Sequence, residues 1–249
     1  MAKPIPAVPD GDGLAMKQTS TQHDLMVRVL EAAGGQPIET LAPSDYEGLI
    51  ADILFATENV IVEVKTLTTD RTKDEHVIAE VKAMLAANRD LGAPDPETTV
   101  SFGLHDVPPI IAAKVLRIVG RRVQDEVKSA NRQIRATKAM LGRPDALGVL
   151  AIVTQPFTLD RMSVIWLTGD QFRNGSFSNV NLVFLVETPL ASAAEGGLRR
   201  NSFLSPHSRD GSELPRQLLD AIFKAWGEVT GQEGRDADSD DFHKFGATS

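Results

Sequence analysis

Cysteine is absent from the 249 residues, which excludes disulfides, thiol nucleophiles and Cys-ligated zinc together. No apolar run approaches the roughly 18 residues that a membrane-spanning helix needs. The start, MAKPIPAVPDGDG, has no apolar stretch of the kind that marks a secretion signal. A cytoplasmic protein without a membrane partner is the expectation. The P-loop, GxGxxG, GxSxG and HExxH patterns are all missing, so nucleotide-driven work, a Rossmann cofactor, a serine-hydrolase elbow and a zincin site find no support. Positive charge is short as well: 34 acidic residues face 26 basic ones, for a net charge of −8. A generic nucleic-acid coat protein would be basic overall.

What is present is enough apolar sequence for a sizeable core, 42 % of residues. The Pro/Gly-rich start (1–18) and the acidic end (231–249, GQEGRDADSDDFHKFGATS) have little that could join that core. Both are expected to be disordered tails, leaving a single domain over 19–230. Within it, Leu25, Met26, Val29, Leu30 and Ala33 have helical spacing, with Thr21 and Asp24 as a capping-box start and Gly34-Gly35 as a stop. ADILFATENVIVEVKTL (51–67) reads as a hairpin around Glu58-Asn59. Residues 74–90 read as a helix, and 109–141 as a long helix with a possible bend at Gly120 and an end at Gly142-Arg143-Pro144. GVLAIVT (148–154), SVIWLTG (163–169) and VNLVFLVET (180–188) read as strands, 188–212 as a loop and SELPRQLLDAIFKAWGEVTG as a closing helix. The order predicts one α/β domain, a mixed sheet flanked by helices. A competing helix over 44–57, from Ser44 and Glu47 with Tyr46, Leu49, Ile50, Ile53 and Leu54 in phase, is outweighed by the matched β-rich runs.

The hairpin carries charges where charge is costly. VIVEVKTL (60–67) sets Glu63 and Lys65 two positions apart in a run that otherwise looks buried. With Glu58-Asn59 as a two-residue loop, Thr57 pairs with Val60, Asp52 falls opposite Lys65 and Leu54 opposite Glu63. Alternation then puts Asp52, Glu63 and Lys65 on one face. Two carboxylates about 5 Å apart repel by roughly 3 kcal/mol at an effective dielectric near 20. A divalent cation would offset that repulsion, and Mg²⁺ or Mn²⁺ suits oxygen ligands. Bound there, it would acidify a water beside Lys65. A surface hairpin with an Asp52–Lys65 ion pair is the plain alternative.

Asp52, then Glu63-Val64-Lys65 across a hairpin, resembles the PD-(D/E)xK nuclease superfamily. A narrower resemblance, to bacterial members of unassigned role, runs through Ala51-Asp52…Phe55, Glu63…Lys65, Arg132-Gln133-Ile134…Thr137-Lys138 and Gly148-Val149-Leu150, over roughly residues 20–190. Ala51 stands where the superfamily's name has proline. The resemblance implies a restriction-endonuclease-like fold, metal held by Asp52 and Glu63, and catalysis by Asp52, Glu63 and Lys65. It also implies a polar contribution from Gln133 and an added acid, Asp24 or Glu47, near the metal.

At about 100° per residue, Lys114, Arg117, Arg121, Lys128, Arg132, Arg135 and Arg143 fall within roughly 80° of arc on one continuous helix. Such a stripe suits a phosphate backbone, with Lys128, Arg132 and Arg135 at its centre, or is a solvated face. Arg199, Arg200 and Arg209 in the 188–212 loop could help to hold a strand. The expectation is a Mg²⁺- or Mn²⁺-dependent nuclease whose partner is nucleic acid, DNA before RNA, with a homodimer an open possibility. The alternative is an inactive nucleic-acid-binding or assembly protein on the same fold.

Overall fold

The computed structural model describes residues 12–67, 74–95, 107–154, 159, 161–175, 177–187 and 203–231. Among the described residues, six α-helices and a six-stranded mixed sheet make up the architecture. Helix α1 spans Asp12–Ala32, α2 Glu75–Ala86, α3 Pro109–Val119, α4 Arg121–Met140, α5 Arg161–Asn174 and α6 Arg216–Thr230. The strands are β1 (Gln36–Pro37), β2 (Ile53–Phe55), β3 (Val60–Leu67), β4 (Leu147–Thr154), β5 (Leu182–Glu187) and β6 (Phe203–Ser208). They lie in sequence order; β3, β4 and β5 are parallel, and β1, β2 and β6 run antiparallel to their neighbours.

Alternation divides the core between the two faces. Val60, Val62 and Val64 of β3 join Met26, Val29 and Leu30 of α1 and Leu218, Ile222 and Trp226 of α6. Ile61 and Leu67 point the other way, into a cluster with Val123, Val127, Ala130 and Ile134 of α4 and Val164 and Leu167 of α5. Glu63 and Lys65 share the parity of Ile61, so they belong to the α4 face. Helices α2 and α3 pack on each other around Leu85, Val107, Ile111 and Val115.

Five expectations need correction. Helix α1 already runs from Asp12, so the expected N-terminal tail is helical from there on. Thr21 and Asp24 lie inside the helix rather than at its cap. Strong helix formers (Ala15, Met16, Lys17, Gln18) follow Gly13 without a break. Residues 1–11 and 232–249 lie outside the described residues.

The hairpin register differs by two: Phe55 pairs with Val60 and Ile53 with Val62, around a four-residue turn over 56–59. A two-residue turn of the favoured type needs both residues at positive φ, which glutamate resists. Here only Asn59 takes positive φ, 55°, and Arg143 donates to its Oδ1 at 3.1 Å. SVIWLTG is helix α5, not a strand. Its buried Ser163, Val164, Leu167 and Thr168 follow helical spacing, hidden by a β-branched and aromatic composition. Part of the expected 188–212 loop is the edge strand β6, while Arg199 and Arg200 lie outside the described residues.

Candidate active site on the third strand

Asp52 sits just before β2, and its amide donates at 3.1 Å to the carbonyl of Val62, the residue that already pairs with Ile53. With the register shifted by two, Asp52 no longer falls opposite Lys65 but lies beside the Val62–Glu63 stretch of β3. A slip of two preserves the face. Asp52 Oδ2 accepts from the Val64 amide at 2.7 Å, which fixes the carboxylate against β3. Glu63 is 1 % exposed. Its Oε1 lies 2.6 Å from Lys65 Nζ, whereas its Oε2 is buried without a hydrogen-bond partner.

Helix α4 completes the arrangement. Lys65 Nζ donates to Gln133 Oε1 at 2.8 Å, an oxygen that also accepts from Ser129 Oγ at 3.1 Å. Gln133 Nε2 donates to the Ile50 carbonyl at 3.0 Å, and Thr137 Oγ1 accepts from the Ala51 amide at 2.7 Å. The same helix thus orients Lys65 and ties down the backbone that leads into Asp52. The resulting open pocket holds about 320 Å³, and Asp52, Glu63, Lys65 and Gln133 all line it.

Burial, then the charge of Asp52, push the Glu63 carboxyl up to about 8, against the opposing pull of Lys65. His23, from α1, also lines the pocket, with Nε2 3.4 Å from Asp52 Oδ1. Its hydrogen bond to Asp52 raises its pKa, outweighing the desolvation that lowers it.

The remaining expected residues fall elsewhere. Asp24 is exposed and lines no part of the pocket; its nearest link to it is His23 Nδ1, 3.7 Å away. Glu47 is exposed in the loop before Asp52 and does not line the pocket either. Gly120 breaks the long helix, so the continuous stripe does not form. Lys114 donates to Asn88, Arg117 makes a two-point bond to Asp170 at 3.0 and 2.8 Å, and Arg121 pairs with Glu80. Arg143 serves the hairpin turn, and Arg209 donates to the Phe177 carbonyl. Lys128, Arg132 and Arg135 remain exposed on α4, without an ion pair among the described residues.

Three ionisable lining residues were not anticipated: His23, Arg122 and Glu126. His23 lies in phase with buried Met26 and Leu30, and Glu126 in phase with Val123 and Ala130. A titratable residue at a core position of an amphipathic helix was the available signal.

Compared with protein-family models, with curated proteins and with solved structures, the chain finds no match in any of the three. The site therefore has to be read from its own chemistry. Among the described residues no group of three or more His, Asp or Glu side chains gathers as a metal-holding cluster, and no helix is long and apolar enough to cross a membrane. Asp52, just before β2, and Glu63 and Lys65, on β3, bring two carboxylates and one ammonium to the pocket.

Proposed function

We propose that the chain is a divalent-metal-dependent phosphodiesterase of restriction-endonuclease-like type, acting on nucleic acid, with DNA before RNA. The observation that carries this reading is Glu63 Oε2, a buried carboxylate oxygen without a hydrogen-bond partner, in a pocket shared with Asp52. Buried polar atoms are rarely left so, and a cation is the ligand that would satisfy this one. Mg²⁺ commonly binds through one or two carboxylates and keeps several waters, which fits Asp52 and Glu63 as its holders; Mn²⁺ takes the same ligands. When bound, such an ion would acidify a water and stabilise charge on a phosphoryl oxygen.

The chain's own residues supply the rest. Lys65, clamped by Glu63 and Gln133, presents a preorganised ammonium to the attacking water and to charge developing on the phosphate. Asp52 is held by the Val64 amide through Oδ2 and faces His23 through Oδ1, so the carboxylate is fixed in place as one wall of the pocket. The sheet with helices on both faces is compatible with the fold that the resemblance implies.

A second reading, an inactive nucleic-acid-binding or assembly protein, is favoured by one observation. His23 and Lys65 already lie against the two carboxylates and compensate their charge. Mn²⁺ titration by calorimetry, alongside incubation of supercoiled, linear and single-stranded DNA with and without Mn²⁺, separates the two. Metal uptake with Mn²⁺-dependent cleavage, both lost in Asp52→Ala, is the expected result. Absence of uptake and of cleavage would leave the second reading.

A further inference from the structure

A phosphodiester entering this pocket meets three acidic side chains, Asp52, Glu63 and Glu126. Three cationic side chains line the same space, and two of them are committed to the floor. Lys65 Nζ is shared between Glu63 and Gln133, and His23 Nε2 lies against Asp52. Arg122 is different. Its Nη2 lies 2.6 Å from Glu126 Oε1, and its side chain is 60 % exposed whereas that of Glu126 is 10 % exposed. The acid is largely buried and the arginine largely exposed. A guanidinium has five donors in a planar fork, and among the described residues that one contact is the only ion pair Arg122 makes.

The cations expected to hold substrate are not placed to do this. At about 100° per residue, Lys128, Arg132 and Arg135 centre roughly 120° around α4 from Arg122 and Gln133. None of the three lines the pocket, so they are placed for a backbone passing outside it. Guanidinium matches phosphate in a two-point geometry that an ammonium cannot make.

We propose that Arg122 is the residue that holds the phosphate in the pocket, exchanging Glu126 for the substrate as it enters. This rests on the phosphodiesterase reading. Glu126 keeps the arm parked at the rim in the free protein and competes with substrate for it. If instead the pair only supports the helix, as i,i+4 pairs do, neither residue affects binding.

Binding of a duplex oligonucleotide in Ca²⁺, measured against salt concentration, tests this for the wild type, Arg122→Ala, Arg122→Lys and Glu126→Gln. Cleavage by the wild type in Mn²⁺ is followed in parallel. Arg122→Ala should bind about tenfold less tightly, with a log–log salt slope shallower by about 0.9. Arg122→Lys should keep the slope but recover only part of the affinity, and Glu126→Gln should bind more tightly than the wild type. This pattern supports the proposal even where the wild type fails to cleave, in which case only the phosphodiesterase reading falls. A cleaving wild type whose Arg122→Ala variant binds with unchanged affinity and slope overturns the proposal and leaves that reading standing. A wild type that does not bind the duplex overturns the proposal as well.

Discussion

Lys65 holds two acceptors at once, Glu63 and Gln133, so its ammonium is oriented before any substrate arrives. If it stabilises charge only as the transition state forms, Lys65→Ala should lower kcat by about 10²–10³. Metal and DNA affinity should change little, because Asp52, Glu63 and the cations of α4 remain. Calorimetry and single-turnover cleavage check both halves of that expectation, and wild-type cleavage by Lys65→Ala would reduce Lys65 to an ion-pair partner. Gln133→Ala should lower kcat by a smaller factor, about tenfold, since Lys65 keeps Glu63 but loses its second hold. That residues 52, 63 and 65 share a face was legible because period-two alternation survives a register error of two. Gln133 was visible only through the resemblance. His23 and Glu126 were not read because a helix shows its inward polar residues only once its neighbours are known.

At the scale of elements, Gly120 decides how α3 and α4 meet. A Cβ there would run into Leu167 of α5 and the Leu116 carbonyl, so the break lets α5 pack close. Gly120→Ala should destabilise the protein by about 1–3 kcal/mol, as overpacking does, measured as a lowered urea midpoint at unchanged m. The same break divides the cation stripe. Replacing Lys128, Arg132 and Arg135 together by Ala should weaken DNA binding with a shallower salt slope. An unchanged slope would make the α4 face plain solvated surface. The strands β3, β4 and β5 were legible as apolar, β-branched runs. Helix α5 was not, because Val164, Ile165 and Trp166 carry β-type composition on a helical burial pattern. The edge strand β6, FLSPHS, was missed because serine and proline blur its alternation, as is common at an edge.

For the molecule as a whole, the raised Glu63 pKa is a statement about stability. Folded, Glu63 holds its proton up to about 8; unfolded, it releases it near the ordinary carboxylate value of about 4.3. Between those limits the folded state binds more protons, so stability falls as pH rises. His23, also raised, contributes in the same direction: its stabilisation is present below its unfolded value and is lost as pH rises through the folded one. The metal-free protein should therefore melt several degrees lower at pH 8 than at pH 5.5, and Glu63→Gln should flatten that dependence. Mn²⁺ should restore stability mainly at the alkaline end, because a metal-binding carboxylate must be ionised. Thermal denaturation across pH, with and without Mn²⁺, measures all three effects.

Pairing between β3 and β4 runs from Val60 with Leu147 to Leu67 with Thr154, and sets Leu150 beside Glu63. Every lining residue of the pocket lies N-terminal to β4, yet β4 is what covers that edge of β3. A chain emerging from the ribosome thus carries all of the site's side chains before it can bury Glu63. Until then Glu63 is an ordinary hydrated carboxylate. Pairing so distant in sequence has to wait for loop closure, and Glu63 is expected to take up its proton once β4 and α4 have both closed around it. Refolding near pH 6.5 in weak buffer with a pH indicator should show that uptake in phase with the late formation of the sheet, and Glu63→Gln should fold without most of it.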